Sequence, residues 1–403
     1  AADEGVMPQT REHLNICSLL NIKSGIVALT RVDLLEDREM LELSKDEVLN
    51  LLEGTFMEKA PVIPVSAVTG EGLNELRNEF AKLAKNFVHL EIGNPFRLYV
   101  DRSFTLKGFG TVVTGTVLTG TLSQNQVIVQ YPQSREIRIR GMQSHGVDVK
   151  EVNAGQRVAL NLTGINKENV LRGNQLAKPE SLLSGYMINA SLSLLKDAST
   201  SLKNRTRIRL HLGTQELIGR IIILEGESLY PGETAMVQFR SESILCGKYG
   251  DRFIIRSFSP MYTIGGGTLI DPSPSKSRRL LQDLPKRLRR LMYGDEDVRS
   301  EEVIFLRSVQ GVVFSEFQVR SGLSDNDCSK NLKLLQKKGK IFCIDSVLGK
   351  YLHLDHVRRV GKFVCVLLRN HHQKFPEREG MTHSELAGKL SLIFTEKEVG
   401  NLL

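Results

Sequence analysis

Two short apolar runs near the start of the chain each end in a brief polar loop, and this arrangement constrains the fold most strongly. The first run is GIVALTRVD (residues 25–33) and the second is VIPVSAVTGEG (62–72). A helical pattern follows each of them. SKDEVLNLLEGTF opens with Ser44 and Glu47 at the spacing of a capping box, and GLNELRNEFAKLAKNF repeats apolar residues at steps of three and four. The order strand, helix, strand, helix predicts an α/β domain with a parallel sheet over residues 1–90.

The two polar loops predict half of a guanine-nucleotide site, because the carboxyl ends of parallel strands are where such folds bind ligands. Thr30 begins the loop TRVD, which ends at Asp33. The Asp33 carboxylate can accept hydrogen bonds from the N1 and N2 donors of guanine, and adenine has no such pair of donors. Each such bond is worth roughly 1.5–3 kcal/mol. The stem of Arg31 can lie on the base plane, while the Ala67 N–H can donate to the guanine O6 and Ser66 can brace its turn. A solvated Asp at a strand end is commoner for TRVD alone, so the prediction depends on both loops.

The second half of a nucleotide site is missing from the sequence. No GxxxxGK[ST] motif occurs, so we expect no phosphate cradle and no Mg²⁺ site. The glycine-rich KGFGTVVTGTV (107–117) has no helix after it and is interpreted as part of a barrel strand. TIGGGT (263–268) is interpreted as a barrel turn. The absence of an initiator Met and the abrupt end at EKEVGNLL suggest that both ends are cut.

The pattern changes near EIGNPF (91–96) to short alternating runs separated by Gly and Asn turns, which is typical of all-β structure. The length suits two small barrels, at 91–182 and 183–272, with a seam near KPESLLSGY. A basic linker helix is predicted at 273–300. Three helices and a hairpin then predict a winged helix at 301–358, and a truncated second copy at 359–403. The predicted fold class is therefore multidomain: α/β, then all-β, then α+β.

Charge and composition narrow the partners of the chain. The 403 residues carry a formal net charge of +8, which favours an acidic partner. Residues 276–290, KSRRLLQDLPKRLRR, are the most basic segment and indicate either a solvated helix face or a contact with nucleic acid. No apolar run approaches the roughly 18 residues of a membrane span.

Cysteine and histidine usage points to a reduced, metal-free protein. The five cysteines stand alone without a CxxC pair: Cys17, Cys246, Cys328, Cys343 and Cys365. Such scattered thiols favour a cytosolic location. The pairs His353/His356 and His371/His372 lack a matching Cys or acidic cluster, so we expect capping or solvated histidines and no metal site.

Several segments together resemble the bacterial selenocysteine-specific elongation factors, a family of translational GTPases. The resemblance covers essentially the whole chain and rests on ADEGVMPQTREHL, TRVD, SAVTGEG, VDRSFTLKGFGTVVTGTV and FSPMYTIGGGTLIDP. It implies that the P-loop and switch regions lie upstream of residue 1. Thr30-Arg31 departs modestly from the family's Asn-Lys or Thr-Lys before the guanine-reading Asp. The winged helices favour this family over the general factor Tu, which ends after its third domain.

The resemblance implies a function and a second site. The family delivers selenocysteyl-tRNA to the ribosome at recoded UGA codons and hydrolyses GTP with Mg²⁺, so this chain alone is expected to be inactive. YVDRSF and GQRVAL match the walls of the family's aminoacyl pocket, which implies Asp101, Arg102 and Arg157. A selenol has lost its proton at neutral pH, so guanidinium groups can pair with the resulting selenolate anion. In the family the last winged helix, beyond Leu403, reads the selenoprotein mRNA hairpin. A cytoplasmic monomer is expected.

Two alternative functions fit parts of the sequence. A winged-helix nucleic-acid-binding regulator would account for the C-terminal modules but not for the paired guanine loops. Another barrel-containing GTPase, such as the GTP-using subunit of sulfate adenylyltransferase, would account for the loops and barrels but not for the winged helices.

Overall fold

The computed structural model describes residues 1–85, 94–274 and 283–402. The first of these segments contains a pair of parallel strands with three helices around them. The elements are α1 (Pro8–Leu19), β1 (Val27–Thr30), α2 (Arg38–Leu52), β2 (Val62–Val65) and α3 (Leu73–Lys85). Strands β1 and β2 are parallel, with Thr30 opposite Val65. The predicted α/β arrangement is confirmed, whereas Phe87 of the predicted third helix lies outside the described residues.

Helix α2 begins six residues before the predicted capping box. Its N-cap is Asp37, whose carboxylate accepts a hydrogen bond from the N–H of Met40 at 2.9 Å. Ser44 instead donates to the carbonyl of Ala2 at 2.7 Å, and the Glu47 carboxylate accepts from the N–H of Val6 at 3.1 Å. Both side chains therefore fix the chain preceding α1 to the middle of α2.

The first barrel is a ring of six strands in the order β11-β5-β3-β12-β7-β8, closed by pairing between β8 and β11. Its strands are β3 (Arg97–Tyr99), β4 (Arg102–Leu106), β5 (Gly110–Thr119), β6 (Thr121–Ser123), β7 (Ile128–Tyr131), β8 (Arg135–Ser144), β9 (Val147–Asp148), β10 (Glu151–Asn153), β11 (Arg157–Thr163) and β12 (Gln175–Ala177). The glycine-rich segment 107–117 forms the turn from β4 into β5 and most of β5, as predicted.

The second barrel is closed in the order β13-β18-β16-β15-β19-β20. Its elements are β13 (Leu183–Leu194), β14 (Leu202–Lys203), β15 (Arg207–Leu212), β16 (Gln215–Ile223), β17 (Ser228–Leu229), β18 (Thr234–Gly247), β19 (Arg252–Ser257) and β20 (Thr263–Asp271). The prediction of a turn at TIGGGT is wrong, because these residues lie inside β20. Glycine is required there for close packing: a Cβ on Gly267 would lie 1.9 Å from the carbonyl oxygen of Ser191.

A buried ion pair joins the two barrels. The Arg97 guanidinium on β3 donates to both carboxylate oxygens of Asp251, at 2.6 and 2.7 Å, and to the Tyr99 hydroxyl and the Gln175 side chain, each at 2.7 Å. The side chains of Arg97 and Asp251 are 2% and 8% exposed. Gln175 also donates to the carbonyl oxygen and Sγ of Cys246, each at 2.9 Å. The network ties two strands of the first barrel, β3 and β12, to two neighbouring segments of the second.

The C-terminal region contains the elements of one winged helix, followed by three helices where a second copy is predicted. These are α4 (Leu284–Tyr293), α5 (Glu296–Leu306), β21 (Val312–Val313), α6 (Phe314–Ser321), α7 (Asp325–Lys337), β22 (Ile341–Asp345), β23 (Lys350–His353), α8 (Leu354–Lys374), α9 (His383–Leu390) and α10 (Glu396–Leu402). The order α5, β21, α6, α7, β22, β23, with a sheet ordered β21-β23-β22, is that of a winged helix.

The predicted boundaries in this region differ from the structure. A single linker helix at 273–300 is not formed, because α4 ends at Tyr293 and α5 begins at Glu296. Three leucines of α4 pack into the core of the winged helix, so α4 belongs to that module. The boundaries at 300/301 and 358/359 fall inside α5 and α8. Of the basic segment 276–290, residues 276–282 lie outside the described residues.

The winged helix packs directly on the second barrel. Ile270 and Met236 of the barrel are part of the same apolar core as Phe317 and Leu332 of the module. Arg320 of α6 is 5% exposed and forms an ion pair with the Asp271 carboxylate at the end of β20. The shared core and the buried ion pair hold this module against the barrel as one packed unit.

Candidate functional sites

The two predicted guanine loops lie next to each other. Because β1 and β2 are parallel and Thr30 is opposite Val65, the loops that follow them leave the same edge of the sheet. The exposed Asp33 lies in a single 3-10 turn, Val32–Leu34, which is anchored by the buried Val32. Within the described residues its carboxylate has no hydrogen-bond or ion-pair partner, so both oxygens are available to a ligand.

The second loop is built to hold backbone N–H groups in place. The Ser66 side chain is fully buried, and its hydroxyl oxygen accepts hydrogen bonds from the N–H groups of Val68 and Thr69, both at 3.1 Å. The N–H of Ala67 donates to no other described residue. Gly72 has φ +69°, and a Cβ there would lie 1.9 Å from the carbonyl oxygen of Pro64, so only glycine fits at this position.

The structure shows which groups hold the guanidinium of Arg31, whose stem was predicted to lie on the base plane. This residue adopts a left-handed conformation (φ 61°), and its guanidinium lies 3.2 Å from the Asp3 carboxylate and 3.3 Å from that of Glu4. The guanidinium of Arg31 is therefore held by the segment before α1. Asp3 and Glu4 were not predicted as partners of Arg31, because two adjacent carboxylates in an irregular segment carry no signal that identifies their partner.

The predicted aminoacyl residues lie together on the outer face of the first barrel. The Arg157 guanidinium on β11 donates to Oδ2 of Asp101 at 2.7 Å, with the two side chains 53% and 31% exposed. The N–H of Asp101 donates to the carbonyl of Thr114 at 2.8 Å, which fixes this residue at the entrance to β4. Arg102 is exposed, lies opposite Thr114 and has no partner within the described residues.

Two polar residues of this face were missed by the sequence analysis. Thr114 on β5 and Asn161 on β11 alternate with inward-facing residues and lie on the same side as Arg157. The Thr114 Oγ1 and Asn161 Oδ1 atoms are buried and have no hydrogen-bond partner among the described residues. The period-two spacing in RVALNL provides the signal that could have identified Asn161.

The described part of the basic segment is used in contacts within the chain. Arg287 and Arg290 both bind the Glu302 carboxylate, which is 2% exposed, at 2.7 and 2.6 Å. Arg289 pairs with Glu225 of the second barrel. Arg289 and Arg290 are exposed, as expected of a solvated helix face, and all three arginines also hold α4 against α5 and the barrel.

Three of the four histidines that were considered as metal ligands have hydrogen-bond partners within the C-terminal region. His356 bonds to the carbonyl of Phe305 at 2.8 Å, and His371 to that of Gly380 at 3.1 Å. The Nδ1 of His353 accepts from the N–H of Asp355 and caps α8. Across residues 1–85, 94–274 and 283–402, no group of three or more His, Cys, Asp or Glu could hold a metal ion.

None of the helices in the described part of the chain is long and apolar enough to cross a membrane.

Family models match three parts of the chain. Residues 1–86 match the elongation factor Tu GTP binding domain, and residues 110–177 match elongation factor Tu domain 2. Residues 189–276 match the β-barrel domain of selenocysteine-specific elongation factor.

Two similar proteins are both named selenocysteine-specific elongation factor. The selenocysteine-specific elongation factor of Desulfomicrobium baculatum is 38% identical over 388 residues, which is 96% of this chain and 61% of that protein. The factor of the same name from Haemophilus influenzae is 30% identical over 69% of this chain and 44% of its own length. The chain thus spans less than two thirds of either relative.

Solved structures agree with this similarity. The crystal structure of a bacterial selenocysteine-specific elongation factor, EF-Sec, matches with a TM-score of 0.75 and 26% identity, covering 97% of this chain and 63% of that one. The elongation factor SelB of Methanococcus maripaludis, in complex with the GTP analogue GppNHp, shares the fold with a TM-score of 0.61 at 24% identity. This match covers 70% of the present chain and 65% of the chain in that structure.

Proposed function

Because this chain belongs to the family of selenocysteine-specific elongation factors, we propose that it acts in the GTP-dependent delivery of selenocysteyl-tRNA to the ribosome at recoded UGA codons. The observation that supports this most directly is the Asp101–Arg157 pair beside Arg102, which has no partner among the described residues. The same barrel face bears buried polar atoms that no described residue satisfies. A winged-helix regulator and a GTP-using sulfate adenylyltransferase subunit are not favoured, since the model matched by the second barrel is that of selenocysteine-specific factors.

The guanine base is the part of GTP that this chain's residues fit. The free Asp33 carboxylate accepts from N1 and N2, and the Ala67 N–H, held by the Ser66 turn, donates to O6. Thr30 ends β1 beside this pocket, and the stem of Arg31 borders it. No residue of the chain is assigned to the phosphates or to Mg²⁺, whose role in GTP hydrolysis is to neutralise charge on the transferred phosphoryl group.

The aminoacyl site selects its substrate by charge. A selenocysteyl side chain is an anion at neutral pH, whereas a seryl side chain is neutral. Arg102 offers a guanidinium without an internal partner, and Asp101 orients Arg157 towards the same face. Asp101 keeps Arg157 in place when no ligand is bound, and its carboxylate can accept a hydrogen bond from the free α-amino group of the esterified amino acid. Two guanidinium groups around one selenolate then favour selenocysteine over serine.

The remaining partners follow from this proposed role. They are the ribosome and the selenoprotein mRNA hairpin. We propose that the protein is a cytoplasmic monomer. The five free cysteines agree with a reducing compartment.

Replacing Arg102 or Arg157 by Ala is expected to weaken the binding of selenocysteyl-tRNA about tenfold to a hundredfold, and that of seryl-tRNA much less. The reason is that a hydrogen bond to a charged group contributes about 1.5–3 kcal/mol. The measurement is the ratio of the two affinities in the full-length protein in its GTP state, at one salt concentration.

Arg138→Ala is the matched control, because Arg138 is an exposed arginine of the same barrel that faces outward from β8. This variant should leave the ratio unchanged. If Arg102→Ala and Arg157→Ala reduce both affinities by the same factor, these arginines only hold the tRNA backbone, and the proposed aminoacyl site is wrong.

A further inference from the structure

The outer face of α7 carries three lysines in a single stripe. Lys330, Lys333 and Lys337 are spaced at i, i+3 and i+7, so they lie within one narrow arc of the helix. All three are exposed, and the opposite face is buried through Cys328, Leu332 and Leu335. The residues of this lysine stripe therefore point away from the module and are accessible to a partner.

These lysines are exceptional within their module because they are not neutralised. The Lys and Arg residues of 283–356 that pair with a carboxylate are Arg287, Arg289, Arg290, Arg307, Arg320, Lys338, Lys340 and Lys350. Arg299 stacks on the ring of Tyr249. Apart from Lys286, the lysine stripe contains the only cations of this module without a carboxylate or aromatic partner among the described residues.

The carboxylates on α7 itself do not compensate for the stripe. Asp325 accepts a hydrogen bond from the Gln318 side chain, and Asp327 accepts one from the hydroxyl of the N-cap residue Ser324. Both lie in the first turn, whereas the stripe occupies the rest of the helix. Like charges at i and i+4, such as Lys333 and Lys337, oppose helix stability by a few tenths of a kcal/mol. The stripe is therefore an uncompensated cost for the isolated module, which a polyanion would relieve.

The chemistry of the stripe favours phosphate groups over bases. Lysine binds phosphate as a point charge, whereas planar, bidentate recognition of base edges is typical of arginine. The stripe is about 10 Å long from Lys330 to Lys337 at 1.5 Å per residue. One strand of a duplex presents about three phosphates over that distance.

The position of α7 also limits what it can recognise. In helix-turn-helix proteins the N-terminal residues of the recognition helix contact base edges. Here Ser324, Asp325 and Asn326 line a cleft of 610 Å³ whose opposite wall includes Pro95 and Lys178 of the first barrel. The N-terminal end of α7 faces this barrel, so the outer face of its later turns is the part open to a nucleic acid.

We propose that Lys330, Lys333 and Lys337 form a sequence-independent binding surface for the phosphate backbone of RNA. The choice of RNA rests on the proposed function, since a translation factor works among tRNA and ribosomal RNA. The winged helix would then be a second RNA contact, held at a fixed position relative to the barrels by the Arg320–Asp271 pair and the shared core.

The test is the salt dependence of binding to an RNA duplex of about 16 base pairs and arbitrary sequence. Changing all three lysines to Gln should make the slope of log affinity against log salt less negative by about two to three, because each lost phosphate contact removes roughly 0.7–0.9. Changing them to Arg should preserve the slope. Gln and Arg have helix propensities close to that of Lys, so α7 is expected to stay folded.

The matched control is the triple variant Lys59→Gln, Lys85→Gln, Lys389→Gln. These lysines are exposed and unpaired among the described residues, so this variant loses the same net charge elsewhere. Its slope should change by much less. Equal slopes for the two Gln variants, or no binding of the duplex by the unchanged protein at low salt, would overturn the proposal. Unchanged RNA binding would instead assign the stripe to an acidic protein partner or to solvent.

One further comparison makes the result specific. A DNA duplex of the same sequence that shows the same loss of slope would extend the surface to any duplex backbone, whereas a loss confined to RNA supports A-form recognition. The assay contains neither an aminoacyl end nor a nucleotide. Failure of the Arg102 and Arg157 prediction therefore leaves this result interpretable, and failure here leaves the aminoacyl site untouched.

Discussion

Replacing Arg97 by Met is expected to weaken the association of the two barrels by about 3–5 kcal/mol. The substitution leaves Asp251, whose side chain is 8% exposed, without its ion-pair partner at the interface, and only the N–H of Lys248 still donates to it among the hydrogen bonds described, at 3.0 Å. It also removes a donor from the Tyr99 hydroxyl and another from the Gln175 side chain. Burial alone would lower the pKa of Arg97, but Asp251 and Tyr99 together raise it above its ordinary value, so the guanidinium remains charged.

Cys246 provides a local probe for this separation. Its side chain is fully buried at the barrel interface and its Sγ accepts from Gln175 at 2.9 Å. Burial raises the pKa of the Cys246 thiol to about 12, so the thiol is unreactive while the barrels are packed. Labelling of Cys246 by a thiol reagent, located by mass spectrometry, should be faster by about two to three orders of magnitude in the Arg97→Met protein.

Arg207→Met is the control for this experiment. Arg207 pairs with Glu242, but the two side chains are 40% and 52% exposed, and such pairs contribute about 0–1 kcal/mol. Labelling of Cys246 should be nearly unchanged in this variant. Equal labelling rates in all three proteins would show that apolar contacts, through residues such as Val129 and Leu182, hold the barrels together without the ion pair.

The role of Arg97 shows what the sequence could not reveal. In NPFRLYV the alternation correctly places Phe96, Leu98 and Val100 inside the barrel and Arg97 outside. Local alternation does not indicate that another barrel covers the outer face of β3. The partner, Asp251, is 154 residues away in the sequence. A buried arginine at a domain interface is therefore indistinguishable from a solvated one until the domains are docked.

Helix limits and the use of basic residues failed for related reasons. Ser44 and Glu47 have capping-box spacing, but their hydroxyl and carboxylate bind backbone groups of the distant segment 2–6, and Asp37 caps the helix instead. The charge of α4 predicted a solvated face, and its Arg289 and Arg290 are exposed, but the pattern did not indicate that Glu302 and Glu225 of other elements neutralise them. In each case a tertiary partner overrides a valid local pattern.

The placement of the two predicted guanine loops side by side was predictable because it depends on one rule of topology. Two parallel strands that follow each other in sequence place their C-terminal loops at the same edge of a sheet, whatever the rest of the domain does. Ser66 and Asp33 therefore lie where the sequence predicts. The contact of Arg31 with Asp3 and Glu4 was not predictable, since the segment before α1 has no periodic pattern.

Changing Asp33 to Asn is expected to reduce the affinity of the full-length protein for guanine nucleotides by about a hundredfold or more. The carboxylate can accept from both N1 and N2 of guanine, and each bond to a charged acceptor contributes about 1.5–3 kcal/mol. The carboxamide keeps one acceptor and presents an N–H₂ group to a donor of the base. One bond is then lost and two donors face each other.

The same substitution should improve binding of xanthine nucleotides, because the carboxamide can donate to the xanthine O2 that replaces the guanine amino group. Titrations of GTP and XTP into the Asp33→Asn protein measure both changes. Glu36→Gln is the control: Glu36 is exposed three residues further along, so this variant loses the same charge near the pocket without a base contact. An opposite shift of the two affinities in the Asp33 variant alone identifies base recognition. A fall in GTP affinity shared by both variants would mean that the carboxylates act only through the general field of the site, and the assignment of Asp33 would be wrong.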